Sequence, residues 1–164
     1  MTSPHDTPTP HAPSPADEDL GLVDALAQLS FLVQNTLAEI AGHHDLSIIQ
    51  TRLLGVLRDR EPTMNQLGRH LGLDKSSITG LVDRAQRRGL VTRTVSAVDR
   101  RSFQVSITDV GRQLVEQVAA RFAEQIERSV APLPETDRKR LSQMATRIVT
   151  VDAHGRGIDL RTTH

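Results

Sequence analysis

From Leu20 the apolar residues Leu22, Leu26, Leu29, Val33, Leu37 and Ile40 recur at steps of three and four, which predicts a long helix with one apolar stripe. A stripe of that length requires a partner surface. Two further helix starts carry their own chemistry: Ser47 is followed by Gln50 and Thr63 by Gln66, the reciprocal capping pattern that satisfies orphan N–H groups. The first opens a helix bearing Ile48, Leu53, Leu54 and Leu57, and Pro62 separates it from the second. The second is short, from Thr63 to near His70, with Met64, Leu67 and Leu71 on its apolar side. Gly72 supplies a turn, and Asp74 is placed to cap a new helix with Ile78, Leu81, Val82 and Ala85 inward and Gly89 as its stop.

After Leu90 the period changes to two. Val91 to Val95 alternates with β-branched residues, and Phe103, Val105 and Ile107 answer it, so a hairpin is expected with Ser96 to Ser102 as its exposed tip. A long helix follows from Thr108 through Leu114, Val118, Phe122, Ile126 and Val130, ended by Pro132 and Pro134. A last amphipathic helix carries Leu141, Met144, Ala145 and Ile148; beyond it Gly155, Gly157 and a polar end show no pattern. Ahead of everything, residues 1 to 16 hold five of the chain's eight prolines and no bulky apolar residue, the composition of a disordered tail. The fold class is therefore mainly α with a small β-hairpin wing.

Composition narrows the chemistry. At 164 residues the chain is long enough for one compact domain. No apolar run approaches the ~20 residues of a spanning helix, and the N-terminus lacks a signal-peptide apolar segment, so a cytoplasmic protein with no membrane contact is expected. The absence of Cys removes disulfides, thiolate zinc sites and thiol-based sensing. Lys plus Arg and Asp plus Glu balance at 20 each, yet between Asp74 and Arg101 seven cations face three anions. That local excess suits a focused phosphate-binding face, and equally an ordinary solvated one.

The short helix, glycine turn and capped helix from Thr63 to Arg88 make a helix-turn-helix, which presents the N-terminal part of its second helix to the major groove. With the apolar residues inward, Lys75, Ser76, Ser77, Thr79 and Arg84 are the groove-facing candidates, helped by free N–H groups at the helix start. Ser76 and Ser77 can alternatively serve only as capping residues, and Arg84 as the partner of an acidic neighbour. At the hairpin tip Arg100 is the candidate for insertion into the minor groove, with Asp99 holding Arg101 by a charge-assisted bond. An ordinary polar turn is the competing reading of these three.

Other chemistries find less support. His43, His44 and Asp45 are the only compact potential metal ligands, and adjacent His residues rarely point at one ion, so no metal and no cofactor are expected. No Gly-rich phosphate loop, no G-x-S-x-G and no Ser-His-Asp arrangement supports an enzyme. A winged helix used only to bind protein would expose apolar anchors where this chain has Arg100 and Arg101.

Residues 47–115, including Leu67-Gly-Arg-His-Leu-Gly-Leu73, Asp74-Lys-Ser-Ser-Ile-Thr-Gly-Leu-Val-Asp-Arg84, Arg88-Gly-Leu-Val91 and Asp99-Arg-Arg-Ser-Phe-Gln-Val105, resemble the MarR family of bacterial regulators. The most specific element is Asp-x-Arg-x-x-x-Val in the wing, met by Asp99, Arg101 and Val105. The resemblance implies a single domain over 18–152, with 18–45 and 109–152 as a helical dimerisation region and 46–108 as the winged helix-turn-helix DNA-binding lobe. Residues 1–17 and 153–164 are then tails. It further implies a homodimer on a palindromic double-stranded operator, usually repressing its own or a neighbouring gene, and released by a small, often anionic or phenolic effector. His43, His44, Gln50 and Arg52 lie where the family's effector pocket is found. The chain departs from the family in having no Trp or Tyr to wall a pocket, and it lacks the cysteine of the peroxide-sensing branch.

Overall fold

A computed structural model describes residues 19–95 and 102–157. In chain order the elements are α1 (Gly21–Gly42), α2 (Ile48–Arg58), α3 (Met64–Leu71), α4 (Lys75–Arg87), β1 (Val91–Val95), β2 (Phe103–Ile107), α5 (Asp109–Val130) and α6 (Glu135–Gly155). Two compact units are distinguished, Met1–Leu32 and Val33–His164. In the first, Leu22, Val23, Leu26, Leu29, Phe31 and Leu32 are all exposed.

The second unit holds the core. Leu53, Leu54 and Leu57 of α2, Leu67 of α3, Ile78, Leu81, Val82 and Ala85 of α4, Val91 and Val105 of the hairpin, and Val115 and Val118 of α5 form one buried cluster. Each large aliphatic side chain so removed from water contributes about 1.5–3 kcal/mol before conformational costs. α4 buries the four apolar residues its spacing predicts, and its opposite face stays polar.

Local chemistry sets the helix ends. Both capping boxes form: Ser47 N–H donates to Gln50 Oε1 at 2.9 Å and Thr63 N–H to Gln66 Oε1 at 2.8 Å, while the hydroxyls accept from the N3 amides. Gly72 closes α3 at φ +67, the left-handed region that costs glycine least. The strands pair antiparallel from Val91 opposite Ile107 to Val95 opposite Phe103. Phe103, expected to alternate inward with Val105, is 49 % exposed: it pairs at the tip end of the hairpin with Val95, itself 56 % exposed, away from the core. β2 also holds the segment before α3, through Val105 N–H to Pro62 O at 3.0 Å.

The start of α5 is pressed against the end of α4. Thr108 Oγ1 donates to Gly89 O at 2.7 Å, and its N–H to Leu90 O at 3.0 Å. A Cβ on Gly111 would stand 2.1 Å from Leu90 O, so only glycine fits this approach. α6 leaves Met144, Ile148, Val149 and Val151 exposed and continues through the buried Ala153 to Gly155. No described helix is long and apolar enough to cross a membrane.

Candidate nucleic-acid interface

The site is built on the first turns of α4. Asp74, in extended conformation at the N-cap, accepts on Oδ1 from Ser76 N–H at 2.8 Å and Ser77 N–H at 2.9 Å. Both hydroxyls join them: Ser76 Oγ donates to Oδ1 at 2.6 Å and Ser77 Oγ to Oδ2 at 2.7 Å. The Ser76 hydroxyl first, and then the Ser77 amide and hydroxyl, hold the Asp74 carboxyl well below the usual carboxylate range. This corrects one expectation. The amides of Ser76 and Ser77 are not free for a phosphate, since the aspartate already occupies them.

Thr79 Oγ1 donates to Lys75 O at 2.7 Å. The protons of all three hydroxyls are thus committed to acceptors in α4 and its cap, and their lone pairs remain available as acceptors. Lys75, Ser76, Ser77 and Arg84 are exposed, and Thr79 half-buried. Ser76, Ser77, Gly80 and Arg84 meet at a shallow cleft of about 310 Å³ that Ile49 and Leu73 back. Arg84 lies across Gly80: a Cβ there would be 3.3 Å from Nη1. Among the described residues no ion pair engages Arg84.

Asp83 and Arg88 are used otherwise than their sequence positions suggest. Asp83 forms an ion pair with Arg93 of β1, which ties the outer face of α4 to the hairpin. No spacing rule links these two residues, because the contact arises only once the hairpin folds back. Arg88, the C-cap of α4, donates to the carbonyls of Asp45 and His44, which follow the C-terminus of α1. The wing candidates Asp99, Arg100 and Arg101 lie outside the described residues.

Of the four effector-pocket candidates, His43 and His44 line a cleft of about 740 Å³ between the C-terminal part of α1 and α5, together with Glu39, Arg121, Glu124 and Arg128. Gln50 and Arg52 do not line it. Gln50 spends its side-chain carbonyl on the Ser47 capping box, the role its spacing also predicts, and Arg52 is exposed on α2. Among the described residues no three His, Cys, Asp or Glu side chains gather as a metal set.

Comparison with known proteins agrees with this geometry. The model of the MarR family matches residues 44–102, from the α1–α2 turn into the wing. The regulator PecS of Dickeya dadantii is 24 % identical over 135 residues, which cover 80 % of this chain and 81 % of PecS. The repressor IacR of Pseudomonas putida is 34 % identical over 101 residues, 61 % of this chain and 60 % of IacR. Among solved structures, S. aureus MepR in complex with DNA superposes with a TM-score of 0.67 over 81 % of this chain and 99 % of that one, a likeness of fold at 20 % identity. With the helix-turn-helix, the hairpin and the flanking helices in the expected order, these matches support a regulator of the MarR type, similar to the MarR family over residues 44–102 and to its winged helix-turn-helix fold more widely.

Proposed function

We propose that this protein is a repressor of its own or neighbouring genes that binds a palindromic operator as a homodimer in the cytoplasm, without catalysing a reaction. The observation that carries the reading is the division of α4: Ile78, Leu81, Val82 and Ala85 are buried, while Lys75, Ser76, Ser77 and Arg84 face outward, the last three around one cleft. A helix held so firmly on one side and polar on the other is suited to the major groove. With their protons committed to Asp74 and the Lys75 carbonyl, Ser76, Ser77 and Thr79 meet base edges as acceptors, which suits the exocyclic amino groups of adenine and cytosine. Lys75 and Arg84 supply the cations for guanine edges or phosphate. Arg100 enters the minor groove beside it, and Asp99 keeps Arg101 in place. The repressing direction is favoured by IacR, itself a repressor.

Release comes from a small anionic or phenolic effector in the cleft of His43 and His44. Arg121 and Arg128 favour an anion there, although Glu124 lies within salt-bridge reach of both. Such a ligand lowers DNA affinity only by its differential binding to the two states of the dimer.

A fluorescence anisotropy titration against the DNA upstream of the protein's own gene, with scrambled DNA as control and at two salt concentrations, tests the reading. Specific, salt-sensitive binding that weakens in Arg84→Ala and Arg100→Ala is expected. Absence of DNA binding at low salt would refute it.

A further inference from the structure

Arg88 joins two places that the preceding sections treat separately. Its backbone closes α4, with N–H to Arg84 O at 3.2 Å, and Leu90 N–H returns to Ala85 O at 3.0 Å, so the residue moves with the recognition helix. Its guanidinium reaches across to the α1–α2 turn, where Nη1 donates to Asp45 O at 2.6 Å and Nη2 to His44 O at 3.1 Å.

That turn is tightly wound. His44 N–H and Leu46 N–H both bond Ala41 O at 3.0 Å, Asp45 N–H bonds Gly42 O at 3.0 Å, and Asp45 sits at φ +54, where a non-glycine residue is strained. Carbonyls at a helix C-terminus lack intrahelical donors and stand at the negative end of the dipole. A planar guanidinium satisfies two neighbouring carbonyls at once. The same turn carries His43 and His44 into the cleft.

We propose that Arg88 is a positioning residue that locks the α1–α2 turn to the recognition helix, so that the cleft and the DNA-reading face are coupled through its side chain, and that it does not contact DNA. The proposal rests on the DNA-binding reading. A phosphate contact and a lock differ in what they do to the salt dependence. Removing a phosphate contact lowers the slope of log affinity against log salt by about 0.9, whereas removing a lock leaves it in place. Coupling also requires that DNA bound at α4 be sensed at the turn.

The test uses the full chain as wild type, Arg88→Gln and Arg88→Lys, each first checked for cooperative thermal unfolding. A duplex of the upstream DNA serves as the probe, or one selected from random sequence if the upstream DNA is not preferred. Anisotropy titrations at several salt concentrations give the slopes, and NMR spectra follow the ring signals of His43 and His44 with and without the duplex. In the wild type the ring signals shift on DNA addition. In Arg88→Gln the shift is lost while the salt slope is unchanged, and Arg88→Lys retains part of it. A slope reduced by about 0.9 in Arg88→Gln identifies a phosphate contact and overturns the proposal. So does a ring response that persists in Arg88→Gln or is absent from the wild type. Failure of the wild type to bind any duplex overturns the regulator reading, and this proposal with it.

Discussion

Two regions of this chain treat their apolar residues in opposite ways. Between α2 and the first half of α5 most are withdrawn, Val95, Phe103 and Val110 excepted: Leu53, Leu54 and Leu67 are 0 % exposed and Leu81 is 1 % exposed. In residues 20–32 and along α6 they face outward, with Leu22 at 77 % and Ile148 at 59 %. The first region closes a core from a single chain and leaves polar chemistry on its surface, as a reader of DNA must. The second has helices whose stripes have no cover among the described residues. That is the composition of an interface between copies, since exposed apolar area on this scale marks an association surface.

The comparison is broken most severely at the core. Leu54→Ala should cost about 2–5 kcal/mol of stability in denaturant unfolding and lower the population of folded lobe at all protein concentrations. Ile148→Asp should do the reverse. The lobe keeps its secondary structure, but sedimentation shows the dimer dissociating at concentrations where the wild type holds together, because a charge is placed in an apolar interface. If both variants had the same effect, the division between the regions would fail.

Smaller effects sharpen the contrast within the lobe. Arg84→Ala should weaken operator binding by about 1–3 kcal/mol and leave thermal unfolding unchanged, as expected of a side chain with no ion pair among the described residues. Thr63→Ala removes half of a capping box and should cost about 1 kcal/mol of stability with no effect on association. The smallest change is in pH dependence. Because hydrogen bonds from Ser76 and Ser77 lower the folded-state pKa of Asp74, its stabilisation is complete above the ordinary carboxylate range, near 4, and is lost progressively as pH falls below that range towards the lower folded-state pKa. Acid titration of unfolding should lose that component in Asp74→Asn, which keeps a capping side chain without the ionisation.

Much of this was legible in the residue order, for identifiable reasons. A helix end leaves amides that need partners within three residues, so Ser47 with Gln50 and Thr63 with Gln66 announce themselves locally, and both boxes form. The four inward residues of α4 follow from its period alone. What escaped depends on tertiary proximity. Arg88 meets His44 and Asp45 across more than forty residues, and Arg93 meets Asp83 only through the return of the hairpin. Asp74 was legible as a cap, but its consumption of the Ser76 and Ser77 amides, which removes a phosphate site, required the distances. Gln50 spends its side-chain carbonyl on the capping box and does not line the cleft of His43 and His44, a placement that depends on tertiary packing.

The most direct test of the two-region account is the stoichiometry of the protein–DNA complex, measured by native mass spectrometry on a duplex long enough for two half-sites one helical turn, about 34–36 Å, apart. The account predicts two protomers per duplex even when DNA is in excess, because the exposed helices deliver the reading lobes in pairs. A single protomer bound to the duplex with the full wild-type affinity would contradict it.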